Sequence, residues 1–436
     1  MKKITPLIEI CSIVIIFIFT LLGMFLPYSL ELLLGLSLIG TTFYIIANII
    51  EFKDKKKWSS IPSVILSLTG FILSLIIIIN KNLNLYYIIT IFNLVNVCFY
   101  AVIKLIDINK NKKNHKLVKN IGLGFMSLIL AVIAVLAIIS DLGYGRTILS
   151  SAVEIVLKSS NGGYFDSVEK ACEYMELRRN LNDESYKLPS SNYQSNVHIE
   201  NLYGSEAIYF DNSNNPDGYV LYIHGGAYVN QMSNYHVSYC DKLAKLTNYT
   251  VIAPLYPLAP EHKYEETYTL INKIYDDLLE KNKPIVIMGD SAGGGFSIAY
   301  CEYLNKNGKR LPTKAVLLSP WVDCSMSNKE YDNYPDPMLG VIGLKRMGEA
   351  WAGDTDIKDY RISPLFGDVT NFPKTLMFVG TREIFNPDVR LFQNKLINAG
   401  VDSTLEIGKG MNHVYPVYPV LEARMALNKI AEFVTK

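Results

Sequence analysis

The pentapeptide GDSAG at positions 289–293 places a serine where it could act as a nucleophile. An apolar run, Ile285–Met288, ends abruptly at this pentapeptide, and a segment with helical patterning follows it. Strand, sharp turn and helix form the context that a G-x-S-x-G nucleophile elbow requires, because its two glycines let the neighbouring backbone pass closely. The alternative is a glycine-rich turn that arose by chance. We therefore predict that Ser291 is the nucleophile of an acyl-transfer reaction.

The order of residues along the chain indicates a general base. Where a serine stands on such an elbow, the acid and then the histidine follow it in the sequence. Five of the six histidines precede Ser291, and only His413 follows it, in a loop after the last predicted strand. A lone loop histidine is otherwise a solvated surface residue. His413 is the predicted general base.

Two carboxylates near the end of one predicted strand are candidates for the acid. Glu383 is closer to the strand, and its longer side chain could reach His413, so we favour it. Asp388 is the alternative acid, although it lies in the first turn of the next predicted helix, where a carboxylate complements the helix dipole. If Glu383 is not the acid, it is a surface partner of Arg382 or Arg390.

A second glycine-rich loop, HGGAY at 224–228, follows the predicted strand Gly218–Ile223. Loops of this type supply backbone N–H groups to a developing oxyanion, because glycine leaves room for the substrate carbonyl. The predicted donors are the amides of Gly225, Gly226 and Ala292. We expect His224 itself to be a structural hydrogen-bonding residue rather than a catalytic one.

The elements that must position these residues form a series of short strands separated mostly by helical segments such as Glu265–Lys281 and Asp388–Asn398. The predicted strands are Val197–Tyr203, Glu206–Phe210, Gly218–Ile223, Tyr249–Pro254, Pro284–Met288, Ala315–Ser319, Lys374–Gly380 and Thr404–Gly408. Strand and helix in alternation predict an α/β fold whose mostly parallel sheet is covered on both faces. Ligands of such sheets bind beyond the carboxyl ends of the strands, where the motifs lie.

The first third of the chain has a different composition. It contains five apolar runs that reach or approach the length needed to cross a bilayer, and one or two such runs could instead be buried core helices. The runs are Leu7–Leu26, Leu30–Ile50, Ile61–Ile79, Leu85–Ile106 and Ile121–Ile139. We predict an all-α transmembrane bundle of about five helices in residues 1–141, a linker and cap segment in 142–197, and a catalytic domain in 198–436.

Lysines predict the orientation of this region. They cluster at the amino terminus and in the second and fourth connections between the runs, and such loops face the cytoplasm. Five crossings then place the carboxy-terminal domain outside the cytoplasm. The formal net charge is only +1, and the folded half has no basic excess, so no nucleic-acid partner is expected.

Seven sequence blocks resemble, in order and spacing, those of the hormone-sensitive-lipase-like esterases of the α/β-hydrolase fold, a family that includes arylacetamide deacetylase. The blocks are HGGAY at 224–228, YPLAPEH at 256–262, GDSAGG at 289–294, LSPWVD at 318–323, ISPLFGD at 362–368, GTRE at 380–383 and GMNHVYP at 410–416. The resemblance implies a serine carboxylesterase with Ser291, Glu383 and His413 as its triad. It also implies a helical cap, here formed from the segment before Val197 and from Asn328–Tyr360. Many relatives have a third glycine where this chain has alanine in HGGAY.

These observations predict a membrane-anchored enzyme that hydrolyses short-chain, acetyl-like esters of small molecules, lipids or glycans. Acyl transfer to a sugar or lipid hydroxyl is an alternative with the same triad, and a non-catalytic receptor for small ligands is another. No cofactor or metal is expected, because the histidines and cysteines lack ligand spacing and the chain has no P-loop. The oligomeric state is open.

Overall fold

A computed structural model describes residues 145–160, 162–182 and 185–436. The five predicted membrane spans lie outside the described residues. Within the described ranges, no helix combines the length and apolar character that crossing a membrane requires. The site lies in a compact unit that, among the described residues, comprises 145–154, 163–182 and 185–436.

The described part of the chain contains eight α-helices, eight strands and three short 3-10 helices. The helices are α1 (Ile148–Ser160), α2 (Val168–Asn182), α3 (Asn234–Thr247), α4 (Tyr264–Glu280), α5 (Ser291–Lys306), α6 (Val341–Ala352), α7 (Asn386–Asn398) and α8 (Leu421–Thr435). The strands are β1 (Asn196–Leu202), β2 (Ser205–Asp211), β3 (Tyr219–Ile223), β4 (Thr250–Pro254), β5 (Ile285–Asp290), β6 (Lys314–Leu318), β7 (Lys374–Arg382) and β8 (Ser403–Asn412).

The strands form one sheet in the order β1-β2-β4-β3-β5-β6-β7-β8. The β1–β2 and β2–β4 pairs are antiparallel, and every later pair is parallel. The predicted mostly parallel sheet is therefore confirmed. Each predicted strand is present, but β8 continues to Asn412, four residues beyond its predicted end at Gly408.

Both faces of the sheet are buried, which explains why its central strands are apolar without alternation. On one face, α3 and α8 cover the sheet with side chains such as Leu243 and Ile430. On the other face, α4, α5 and α7 pack through residues that include Ile271, Phe296 and Phe392. Helices on both faces leave the carboxyl ends of the parallel strands accessible to loops, and these loops carry the candidate site.

The two segments from which a cap is predicted contact each other. Helix α2 packs against α6, and the Gly343 N–H donates to the Phe165 carbonyl at 3.1 Å. A Cβ on Gly343 would lie only 2.5 Å from the Phe165 Cα, so glycine is needed for this approach. The predicted boundaries of the linker, the cap and the catalytic domain stay predictions.

Candidate active site

Ser291 is the first residue of α5 and follows β5 directly. Its φ of 51° lies in the left-handed region, which a non-glycine residue seldom adopts. A Cβ on Gly293 would lie 2.0 Å from the Ile223 carbonyl oxygen, and one on Gly289 would lie 2.4 Å from the Gly293 oxygen. The two glycines of the pentapeptide are thus required by contacts with neighbouring backbone, and the strained turn sets the serine at the end of the strand.

A continuous chain of hydrogen bonds joins Ser291, His413 and Glu383. His413 Nε2 lies 2.9 Å from Ser291 Oγ, and His413 Nδ1 lies 2.6 Å from Glu383 Oε2. All three residues are buried. Because an ionised carboxylate only accepts hydrogen bonds, the proton lies on Nδ1, and Nε2 is left to accept the serine proton.

Glu383 is held in place by two further donors. The hydroxyl of Ser319 donates to Glu383 Oε1 at 2.8 Å, and the Gly380 N–H donates to the same oxygen. Ser319 Oγ also accepts the N–H of Val414, at 3.0 Å. This one hydroxyl therefore connects the acid to the residue that follows His413.

The environment of His413 favours a basic imidazole. Burial lowers the pKa of His413. The hydrogen bond and charge of Glu383 raise it, as do the charges of Asp336 and Asp290, and together they outweigh burial, so the pKa lies above its ordinary value. The ring of Phe385 packs edge-on against the imidazole, with centroids 5.1 Å apart. The histidine is thus both restrained and able to take a proton.

Asp388, the alternative acid, does not contact His413. Its carboxylate accepts hydrogen bonds from Asn328 Nδ2 at 2.6 Å and from the Tyr331 hydroxyl. Burial raises the pKa of Asp388 to about 6. The residue lies in the first turn of α7, as its position in the sequence predicts, and it ties that turn to the loop that contains Asn328.

The HGGAY loop requires a correction to the predicted oxyanion donors. The Gly225 N–H donates to Asp290 Oδ1 at 2.9 Å, so this amide is engaged within the protein. Gly226 has a φ of 128°, which suits glycine alone. Ala292 is the second residue of α5, where a helical N–H has no acceptor within its own helix. Of the three predicted donors, Gly226 and Ala292 stay predictions.

His224 has the structural position that the sequence suggests. Its Nδ1 donates to the Gly225 carbonyl at 2.8 Å, and its ring stacks on Tyr256 with centroids 4.4 Å apart. Burial lowers the pKa of His224 to about 4, so the ring is neutral at ordinary pH.

Asp290 is a site residue that sequence reasoning missed. Besides Gly225, it accepts hydrogen bonds from the Tyr222 hydroxyl at 2.6 Å and from His236 Nε2 at 3.1 Å. Its place beside Ser291 was visible in the sequence, but the direction of its side chain was not. The carboxylate fixes the start of the HGGAY loop against the nucleophile elbow.

Asp336 is a second residue that the sequence did not indicate. Its carboxylate accepts the N–H groups of Met338 at 2.7 Å, Leu339 at 2.9 Å and Ile384 at 3.1 Å. Burial raises its pKa to about 6. It links a loop that precedes α6 to the residue after Glu383, and no spacing to the predicted triad marks it.

Within the described ranges, no group of three or more histidine, cysteine or acidic side chains could hold a metal ion. Cys172, Cys240, Cys301 and Cys324 are free thiols. The site itself is built from a hydroxyl, an imidazole, carboxylates and backbone amides.

Comparison with known proteins gives consistent matches. A family model for the alpha/beta hydrolase fold matches residues 220–417. An esterase from Acinetobacter venetianus is 34% identical over 225 residues, which are 50% of this chain and 74% of that protein. An acetyl-hydrolase from Streptomyces hygroscopicus is 32% identical over 221 residues, or 49% of this chain and 74% of that protein. The crystal structure of an esterase from the bacterial hormone-sensitive lipase family aligns with a TM-score of 0.53 and 26% identity, over 61% of this chain and 97% of that one.

Proposed function

The chain belongs to the hormone-sensitive-lipase-like serine esterases of the α/β-hydrolase fold, and from that premise we propose that it hydrolyses short-chain, acetyl-like esters with Ser291, His413 and Glu383 as its triad. The predicted enzyme class, a serine ester hydrolase, is confirmed. The observation that carries the triad is the unbroken path of hydrogen bonds from the Ser291 hydroxyl through His413 to Glu383.

The reaction follows from this geometry. Ser291 Oγ attacks the ester carbonyl carbon while His413 Nε2 takes the hydroxyl proton. The carbonyl π electrons move to oxygen, and the resulting oxyanion is stabilised by the amides of Gly226 and Ala292. The bond to the alcohol then breaks, and the imidazolium returns its proton to the leaving oxygen. Glu383 stabilises the imidazolium and holds its tautomer.

The second half of the reaction releases the acyl group. Water attacks the acyl-serine carbonyl, His413 takes a proton from that water, and the serine oxygen leaves with the same proton. The predicted alternative of acyl transfer differs only in the acceptor, because an alcohol would replace water at this step. Product analysis with and without an added alcohol distinguishes the two reactions.

Aromatic packing beside the triad supports a small acyl group. The backbone N–H of Trp321 donates to the Ser291 carbonyl at 2.9 Å, and the indole of Trp321 stacks on Phe385, with centroids 5.9 Å apart. Neither side chain is more than 1% exposed. The ring of Phe385, which packs against the His413 imidazole, restricts the space for an acyl chain on that side of the triad. One similar protein is named an acetyl-hydrolase.

The substrate proposal is tested with p-nitrophenyl acetate, butyrate and decanoate on the purified full-length chain. We expect kcat/KM to be highest for acetate or butyrate and to fall with longer chains. A preference for decanoate would overturn the short-chain proposal, while leaving the triad to be judged by its own variants.

Membrane attachment is a separate part of the proposal. It is supported by the five apolar runs between Leu7 and Ile139 and by the lysines between them. Alkaline carbonate should leave the chain in the membrane pellet, and protease added to spheroplasts should cut the catalytic domain. Extraction by carbonate would contradict the anchor, and protection from protease would contradict the extracytoplasmic orientation.

A further inference from the structure

The pairing of β7 with β8 is irregular just before His413. Gly380 pairs with Gly408, whereas Arg382 pairs with Asn412. One residue of β7 therefore faces three residues of β8, which makes a bulge in β8. Bulges bend a strand and re-aim the side chains that follow, and they recur next to active sites. The conformation of this bulge sets the direction from which His413 approaches Ser291.

Arg146, which is distant in the sequence, contacts this bulge. Its Nη1 donates to the Gly410 carbonyl at 2.7 Å, while the Gly410 N–H donates to Thr381 Oγ1 at 2.8 Å. Both backbone polar groups of Gly410 are therefore hydrogen-bonded. Its φ of 70° lies in the left-handed region, which favours glycine. Arg146 is only 5% exposed.

Glu154 connects Arg146 to the neighbouring strand. Its Oε2 pairs with Arg146 Nη1, and its two oxygens accept Arg382 Nε at 3.1 Å and Arg382 Nη2 at 2.9 Å. The bidentate contact with Arg382 is geometrically specific as well as strong. Burial raises the pKa of Glu154, but hydrogen bonds and charge from the two arginines outweigh burial and lower it. The carboxylate is therefore ionised at neutral pH.

We propose that Glu154 is a positioning residue for the esterase triad. Its carboxylate joins the segment before Glu383 to the segment before His413. Arg382 directly precedes Glu383, and Gly410 lies three residues before His413. One carboxylate, supplied by α1, thus restrains both strand ends through two arginines. The inference rests on the proposed function, because positioning has a meaning only if Glu383 and His413 are the reacting pair.

Glu154→Gln keeps the shape of the side chain and removes its charge. A misplacement of about 1 Å can cost about 10² in rate, so we expect kcat for p-nitrophenyl acetate to fall by up to about 10²-fold with little change in KM. The acid limb of the kcat/KM profile, where activity falls as the pH drops, should also move to lower pH. Glu383, Asp336 and Asp290 act on the His413 pKa, and a looser contact with Glu383 weakens the largest of these favourable effects.

The matched control is Glu406→Gln. Glu406 lies earlier on β8 and pairs with Lys429 at 2.7 Å, away from the bulge. We expect it to leave kcat and the acid limb unchanged. A purely structural role for Glu154 would lower the melting temperature, but it would leave both kinetic quantities at their wild-type values in the remaining folded enzyme, and that result would overturn the proposal.

A second variant covers the case in which Glu154→Gln does not fold. Arg382→Lys keeps the positive charge and loses the bidentate contact, and it should reproduce the acid-limb shift and part of the loss in kcat. In the double variant with Glu154→Gln, the loss in kcat should be smaller than the product of the two single losses, because both changes break the same connection. Wild-type kinetics in Arg382→Lys would contradict the proposal. Full activity in Ser291→Ala would instead contradict the proposed function itself.

Discussion

The site contains two carboxylate–histidine pairs that look alike and do different things. Glu383 lies 2.6 Å from His413, and Asp290 lies 3.1 Å from His236. Both acids are at most 2% exposed, and each lies at or just beyond the carboxyl end of a parallel strand. Each carboxylate also accepts one hydroxyl and one backbone N–H.

The difference lies in the second nitrogen of each imidazole. His413 Nε2 faces the Ser291 hydroxyl, whereas His236 Nδ1 accepts the N–H of Ser233 at 3.0 Å as part of the capping box of α3. A histidine whose two nitrogens are both committed to the fold cannot exchange a proton with substrate. A buried acid–histidine pair therefore indicates a general base only where one ring nitrogen faces a nucleophile.

Removing His413 should have the largest effect. We expect His413→Ala to lower kcat by about 10⁶-fold, because the nucleophile then has no base. Steady-state hydrolysis of p-nitrophenyl acetate by the purified full-length chain measures this loss. Retention of a tenth of wild-type activity would assign the base elsewhere.

Glu383→Gln should have the next largest effect. The amide cannot stabilise the imidazolium and can hold the wrong tautomer, so kcat should fall by about 10⁴-fold. Asp388→Asn is the matched control, since Asp388 contacts Asn328 and Tyr331 rather than His413. Its kcat should stay within about twofold of wild type. If the two variants exchanged these effects, Asp388 would be the acid.

His236→Ala tests whether the Asp290–His236 pair takes part in the chemistry. It removes one partner of Asp290 and so loosens the HGGAY loop without touching the proton path. We expect kcat to fall by about 10-fold to 10²-fold. This loss does not exceed the lower limit, about 10²-fold, of the loss expected when one oxyanion donor is removed. The same hydrolysis assay applies. A loss equal to that of His413→Ala would mean that this pair takes part in the chemistry.

The pH dependence tests the electrostatic side of the comparison. His413 must be neutral to accept a proton, so kcat/KM falls as pH drops through its pKa. Because Glu383 raises that pKa, the acid limb should lie above the ordinary histidine value of about 6.5. In Glu383→Gln the limb of the residual activity should move to lower pH. An acid limb below about 6 in the wild-type chain would contradict a raised pKa for His413.

The sheet and the hydrogen-bonded chain followed from local patterns. Apolar runs bounded by turns predicted each strand, because buried parallel strands have continuous apolar sequences. The position of His413 after Ser291 was enough to select it among six histidines. The structure brings Ser291, His413 and Glu383 together, and their catalytic roles stay predictions.

The features that could not be predicted depend on side-chain direction and on distant contacts. The sequence predicts that β8 ends at Gly408, whereas pairing with β7 carries the strand past a bulge to Asn412. The sequence predicts Gly225 as a donor because glycine suits an oxyanion loop. Only the position of the Asp290 carboxylate shows that its N–H is engaged.

In the proposed mechanism, Ser291 forms the covalent acyl-enzyme. A fluorophosphonate probe, followed by peptide mass spectrometry, tests this role on the full-length chain. We expect one stoichiometric adduct on the peptide that contains Ser291, and loss of both the adduct and p-nitrophenyl acetate hydrolysis in Ser291→Ala. An adduct on another residue, or hydrolysis that persists in Ser291→Ala, would contradict this role.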